Sequence, residues 1–500
     1  MDYISVKNNE AIPTQNIPVL IYPDFLEYNT SLKLNEAIHC VLYFGYRHNN
    51  SIILICCMAN DSDGTISVTS AKVEDGTGRL YPSFTRRHTS FHIFEREIYE
   101  NFGLNYADHP WLKPVRFAHN RANGNSTISG YPYRRFESDE LHEVGVGPIH
   151  AGVIEPGHFR FICDGEQILH LEIQHGYQHR GIEQLMLVKK RPAERNILAE
   201  SVAGDTVAGH TSVFANLWES ICGFASDEEL QFSRILALEW ERIAIHTGDL
   251  SAICNDIAYQ PGSSVFGRLR TPIINAFQGW CGNRFAKGLI HPGYLRYPFT
   301  GKLADLFLKV LDDYEPAYNE MFRRMKTLPS VLSRLEKTGT VTREQAADIG
   351  TVGISARMCG ITRDIRASHP HGLYMDINHI PVTKHHGDVY SRTQIRNEEI
   401  LQSIGYVRKF IENIPKENKS PVKLISPRPN TFALSLTEGW RGEICHCAIT
   451  DEHGELLIYK IKDPSMHNWL ALSQAVRNNE ISDFPVCNKS FNLSYSGYDL

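Results

Sequence analysis

The chain has 500 residues, 42% apolar and 22% charged, and its 51 Lys plus Arg against 57 Asp plus Glu give a net charge of −6. That composition excludes a disordered polymer, and a mildly acidic chain is a poor fit to phosphate-backbone binding, so no nucleic-acid partner is expected. No run reaches the roughly 18 apolar residues of a membrane span, and MDYISVKNNEAIPTQN carries no basic-then-apolar leader; the expectation is a cytoplasmic chain with no direct membrane span.

The first 120 residues predict an α/β domain. CVLYFGY (40–46), SIILICCMA (51–59) and GTISVTSAKV (64–73) are β-branched or aromatic runs separated by HNN and NDSDG, which are turn material. FHIFEREIYENFG (91–103) predicts a short helix stopped by Gly103. Residues 121–143 are polar, rich in Gly, Asn and Ser, and aperiodic, as expected of a linker. A second, larger domain is expected over 144–500. It opens on a hairpin over 158–177 with an Asp164-Gly165 turn. From about 182 to 337 the apolar spacing turns helical and predicts a long-helix bundle, with Asp227 before Glu228 and Glu229 as a helix start. A helix over about 393–413 follows. TFALSLTEGWRGEICHCAITDEHGELLIYKIKD (431–463) then alternates like a strand meander with turns at Glu438-Gly439 and His453-Gly454. The fold class is therefore α+β: an N-terminal α/β domain, then a helix bundle flanked by small antiparallel β elements.

The eleven cysteines show no C-x-x-C spacing, and most stand alone in apolar segments. Reduced, buried, structural thiols are the expectation. No phosphate-binding G-x-x-x-x-G-K-[ST], no G-x-G-x-x-G in a strand–helix setting and no G-x-S-x-G elbow occurs. His175-x-x-x-His179 has metal-pair spacing but lacks the acidic base of a zincin motif.

Segments spread over the chain carry a more specific signal. EREIYENFGLNYADHPWLKPVR (95–116) resembles the smaller, thirty-kilodalton hydrophilic subunit of respiratory complex I. GPIHAGVIEPGHF (147–159) and QHGYQHRGIE (174–183) resemble the opening hairpin and the G-Y-x-H-R-G-x-E element of complex I's quinone-site large subunit. They equally resemble energy-converting [NiFe] hydrogenase large subunits of the formate hydrogenlyase type. GISARMCGITRDIRASHP (353–370), WRGEICHCAITDEHG (440–454) and KDPSMHNWLAL (462–472) are similar to later segments of the same subunits. Small subunit then large subunit on one chain is the formate hydrogenlyase arrangement.

The family's hydrogenases hold nickel and iron with two C-x-x-C pairs, because soft thiolates suit those metals. In this sequence the first pair falls on Ala203 and Thr206, counted back from His210 in ESVAGDTVAGH, and the second on Ser494 and Gly497 in SFNLSYSGYDL. No metal ligand is expected at these degenerate positions, and the chain is not expected to be a hydrogenase.

The resemblance implies a complex I-like use of the vacated cavity. That is a NADH:quinone oxidoreductase-like complex, with no cofactor in this chain, an iron–sulfur cluster on a small partner subunit, quinone as the candidate acceptor and ion-translocating membrane subunits as further partners. Quinone reduction needs protons as well as electrons, so acids and histidines belong in the cavity wall. His150 stands at complex I's hairpin histidine and Asp256 matches the acid that partners it. Asp205 and His210 flank the lost ligand pair. Glu155, with His158 as a relay, belongs to the hydrogenases' E-P-G-H element. Each has a structural alternative. His150 can serve the hairpin alone, Asp205 can pair with Arg195 or Arg191, Asp256 can cap or bridge within the bundle, and Glu155 can be a turn acid. Arg180 and Glu183 are expected to form a structural ion pair. The alternative function is a non-catalytic assembly or coupling scaffold.

Overall fold

The computed structural model describes residues 3–33, 35–74, 76, 78–136, 138, 140–150, 155–415 and 426–500. Strands β1 (Ile4–Lys7) and β2 (Ala11–Pro13) precede helix α1 (Tyr22–Leu32) and the meander β3 (Ile38–His48), β4 (Ser51–Asn60) and β5 (Thr65–Glu74). The sheet runs β1-β5-β4-β3, with the short strand Val19–Leu20 parallel to β5. The two expected turns close its hairpins, where His48 pairs with Ser51 and Asn60 with Thr65. Helix α2 (His92–Phe102) ends at Gly103, whose φ of 72° is the left-handed stop that glycine supplies without a Cβ clash.

This N-terminal region is built into the rest of the molecule. Strand β2 belongs to a different sheet from its neighbours and pairs with a strand more than 400 residues away, Thr431↔Pro13 through Ala433↔Ala11. On β3, His39 Nε2 lies 2.6 Å from Glu443 Oε2. One apolar core runs through both regions.

Of the expected linker, the described residues of 121–141 carry a 3₁₀ turn at Ile128–Gly130 and no longer helix or strand. Its last two residues begin strand β6 (His142–Val146), the third strand on the hairpin of β7 (His158–Asp164) and β8 (Gln167–Gln174). The tip of the 147–159 segment, residues 151–154, lies outside the described residues.

The bundle follows as α3 (Ile182–Val188), α4 (Pro192–Glu200), α5 (Val207–Cys222), α6 (Glu228–Asp256), α7 (Gln260–Cys281) and α8 (Gly301–Met325), and α9 (Val389–Ile411) packs on α6. Asp227 caps α6, its carboxylate accepting from Leu230 N at 2.9 Å. Within the bundle span, Ile290–His291 and Tyr294–Leu295 form a small strand pair that helical periodicity did not suggest.

The C-terminal meander is β9 (Thr431–Gly439), β10 (Gly442–Thr450) and β11 (Leu456–Lys462), followed by α10 (Ser465–Ala475), α11 (Phe484–Phe491) and α12 (Tyr495–Asp499). Its first turn is Trp440-Arg441, two residues beyond the expected Glu438-Gly439. The reason is a backbone-on-backbone contact. A Cβ on Gly353 would lie 2.0 Å from the Arg441 carbonyl oxygen, and one on Gly442 (φ 138°) would lie 2.6 Å from Gly353 Cα. Two glycines therefore pin the turn where the chains touch.

Candidate functional site

The segments around Ala203 and Thr206 and around Ser494 and Gly497 converge. Arg180 ties them together, donating from one guanidinium nitrogen to the carbonyls of Val202 and Ser496, both at 3.1 Å. This replaces the expected Arg180–Glu183 pair: Glu183 instead binds Lys460 Nζ at 2.7 Å and Ile461 N at 2.9 Å.

Ala203, Thr206, Ser494 and Gly497 are all buried. Arg441, at the tip of the β9–β10 turn, reaches the first pair. Its two terminal nitrogens each lie 2.6 Å from an Asp205 carboxylate oxygen, and one donates to Thr206 Oγ1 at 2.9 Å. Asp205 thus pairs with Arg441 and with neither Arg195 nor Arg191. Burial alone would lower the Arg441 pKa, but Asp205 outweighs it and keeps the guanidinium charged. The second pair meets Asp463. A Cβ on Gly497 would sit 2.7 Å from the Asp463 carboxyl, closer than real Cβ contacts allow. Asp463 is fixed in place, its carboxylate accepting from Ser465 N at 2.8 Å and lying 3.0 Å from His210 Nε2. Burial would raise its pKa, but His210 and then Arg441 hold it below the usual carboxylate value.

Beside these residues lies a cavity of about 1120 Å³. Its apolar wall includes Phe159, Phe161, Phe484 and Tyr495; its polar wall includes His150, Glu155, Asp205, Asp249, Asp256, Arg270, Arg441 and Lys489. Four of the sequence-predicted residues, His150, Glu155, Asp205 and Asp256, therefore share one cavity, as does Ser494. Glu155 is held to the segment of Ser494 and Gly497, accepting from Ser496 N at 3.1 Å and Ser496 Oγ at 3.2 Å.

The other two stand elsewhere. His210 is fully buried behind the wall, with Nδ1 3.1 Å from His446 Nε2, and His446 Nδ1 in turn lies 2.8 Å from the Tyr459 hydroxyl. His158 turns away, its Nδ1 3.0 Å from the Gly147 carbonyl, so it does not extend Glu155. The expected His150–Asp256 partnership is also absent among the described residues. His150 packs its ring 5.8 Å from Phe159 and has no well-formed hydrogen bond on either nitrogen. Asp256 is exposed at the end of α6, its pKa raised by desolvation and partly drawn back by Lys489. The two face the same space from opposite elements without touching.

His175 and His179 are not on a helix and share no site: His175 packs on Trp469 and Tyr498, and His179 Nδ1 lies 2.7 Å from the Asp499 carbonyl. The cysteines of the described chain are free, and none lines the cavity. Among the described residues no three His, Cys, Asp or Glu side chains are placed to hold a metal.

Sequence reasoning did not single out Arg441, Asp463, Asp249, Arg270 or Lys489. The first two lie inside the quoted segments WRGEICHCAITDEHG and KDPSMHNWLAL, so the signal was present. The other three come from elements with no motif.

Comparison with known proteins agrees with this architecture. Residues 256–499 match the family model for the respiratory-chain NADH dehydrogenase 49 Kd subunit. The chain is 26% identical to hydrogenase-4 component G of Escherichia coli over 85% of its own length and 77% of that protein's. It is 26% identical to the membrane-bound hydrogenase subunit alpha of Pyrococcus furiosus, over 69% of this chain and 84% of that one. The C/D protein of the NADH-quinone oxidoreductase of Phocaeicola vulgatus is 25% identical over 74% of this chain and 76% of its own, and the fused N-terminal region fits that C/D arrangement. The C-terminal part of the chain thus matches the 49 Kd subunit family model, and most of its length is similar to large subunits of complex I and of hydrogenases.

Proposed function

We propose that this chain is the electron- and proton-transfer large subunit of a membrane-associated, complex I-like oxidoreductase that works without a nickel–iron centre. The observation that carries the reading is the chemistry at the four ligand positions. Ala203 and Gly497 have no donor atom, Thr206 is already bonded to Arg441, and Asp463 crowds the space that any side chain at position 497 would need. These residues do not fit a thiolate-held metal.

What remains is an open cavity with carboxyl and imidazole groups in its wall, next to the segment stitched by Arg180. In this reading electrons arrive from an iron–sulfur cluster on a small partner subunit and leave on an acceptor held in the cavity, with quinone as the family's candidate. Ion-translocating membrane subunits complete the assembly. The open, protonatable wall favours this over a coupling scaffold, whose cavity has no reason to stay unfilled.

Elemental analysis of the purified complex tests it. Nickel should be far below one atom per chain, with iron accounted for by the partner's clusters, while electrons still pass to an added quinone. About one nickel per chain overturns the proposal, and a nickel-free complex that transfers no electrons turns it into the scaffold.

A further inference from the structure

The cavity's carboxylates and its cations differ in how well they are satisfied. Asp205 is spanned by Arg441. Asp249 takes Arg396 Nε at 2.9 Å and Asn492 Nδ2 at 2.7 Å. Glu155 takes Ser496 twice. Asp256, the remaining acid, is exposed to solvent. Among the described residues, by contrast, Arg270 and Lys489 form no ion pair within 4 Å, and Arg270 Nε is buried without a hydrogen-bond partner. Lys489 acts on Asp256 only at longer range.

Arg270 is also deliberately placed. A Cβ on Gly248 would fall 2.9 Å from Arg270 Nε and 3.2 Å from its Cζ, so the Arg270 side chain packs close against α6 where glycine leaves room for it.

Buried donors without partners are unfavourable unless a ligand completes them. We infer that the cavity binds an aromatic or quinonoid ring that carries a carboxylate, the ring against Phe159, Phe161 and Phe484 and the carboxylate on Arg270 and Lys489. A guanidinium offers a planar fork that matches a carboxylate. The inference rests on the reading of this cavity as the acceptor site and names the class of molecule it takes.

The test is calorimetric binding to the full chain of 2-naphthoate and of its uncharged counterpart 2-naphthamide, both redox-inert. Naphthoate should bind at least about tenfold more tightly, the worth of one charge-assisted contact. Arg270→Gln and Lys489→Gln should each erase most of that preference while leaving naphthamide binding unchanged. Gly248→Ala, which displaces Arg270 without removing it, should act like Arg270→Gln, and each variant's melting temperature reports folding separately. Equal affinity for the two probes, failure of both to bind, or no effect of the substitutions overturns the inference. Because neither probe carries electrons, those outcomes are distinct from failure of the nickel and electron-transfer tests.

Discussion

Arg441 illustrates how single residues reshape this site. Its guanidinium spans Asp205, bonds Thr206 and stacks 3.9 Å from the Trp440 ring. A cation is thus held beside positions where the hydrogenase pattern would place thiolates. Glu155 faces the same cavity with a different task. Its carboxylate accepts from both Ser496 N and Ser496 Oγ, so its position is fixed while its ability to exchange a proton remains. Glu155→Gln keeps an acceptor oxygen and nearly the same shape but removes that exchange. Coupled turnover of the assembled complex should fall by about 10²–10⁴, the usual worth of a positioned acid–base group. Subunit stoichiometry should be unchanged; wild-type turnover would make Glu155 the turn acid that its Pro156-Gly157 setting also allows. At this scale the sequence was a partial guide. Spacing from His210 picked out Ala203 and Thr206, which lie buried beside Arg441, but the partners of Asp205 and Glu183 come from elements hundreds of residues distant. No local pattern encodes such pairs.

Among the elements, α5 shows how a charged group can be built into the core. Its first-turn amides at Ala208 and Gly209 donate to the carboxyl of Glu241 on α6, at 2.8 and 3.2 Å. These are donors every helix start leaves open, and here a neighbouring helix supplies the cap. Desolvation pushes the Glu241 pKa up to about 8, although the two amides pull the other way. In the unfolded chain the group ionises near its ordinary value, about 4.3. Between those values the folded state holds a proton that the unfolded state has lost, so this group makes stability fall as pH rises from about 4.3 to about 8 and adds no slope above that. Glu241→Gln should flatten that part of the profile. Melting temperatures of the two proteins taken from pH 5 to pH 9 should converge at the acid end and separate towards pH 8, with the variant the higher; parallel curves would refute it. Element types were largely legible in sequence, since α6, the first meander and the stop at Gly103 follow from periodicity and capping. The displaced β9–β10 turn was not, because Gly353, far off in sequence, decides it.

At the scale of the whole molecule, the chain resembles two fused subunits, yet β2 crosses from one to edge the sheet of the other and the apolar core is continuous. Periodicity finds strands but is silent on which distant strand will pair, so the strands could be read and the sheet they share across the chain could not. The same continuity bears on how the protein meets a membrane. Among the described residues no helix is long and apolar enough to cross one. Its hydrogenase relative from Pyrococcus furiosus is nevertheless named as membrane-bound. Attachment through partners reconciles the two facts, and it makes a fractionation experiment decisive. In native cells the chain should sediment with membranes. An alkaline carbonate wash, which breaks protein contacts but leaves spanning helices in place, should release it. Deleting the proposed membrane partners should move it to the supernatant with the fold intact, because its apolar core is formed within the chain. Retention in the pellet after the wash would require a direct anchor. A monomer in the supernatant of native cells would remove it from any membrane complex, and with it the oxidoreductase assembly in which its cavity is proposed to work.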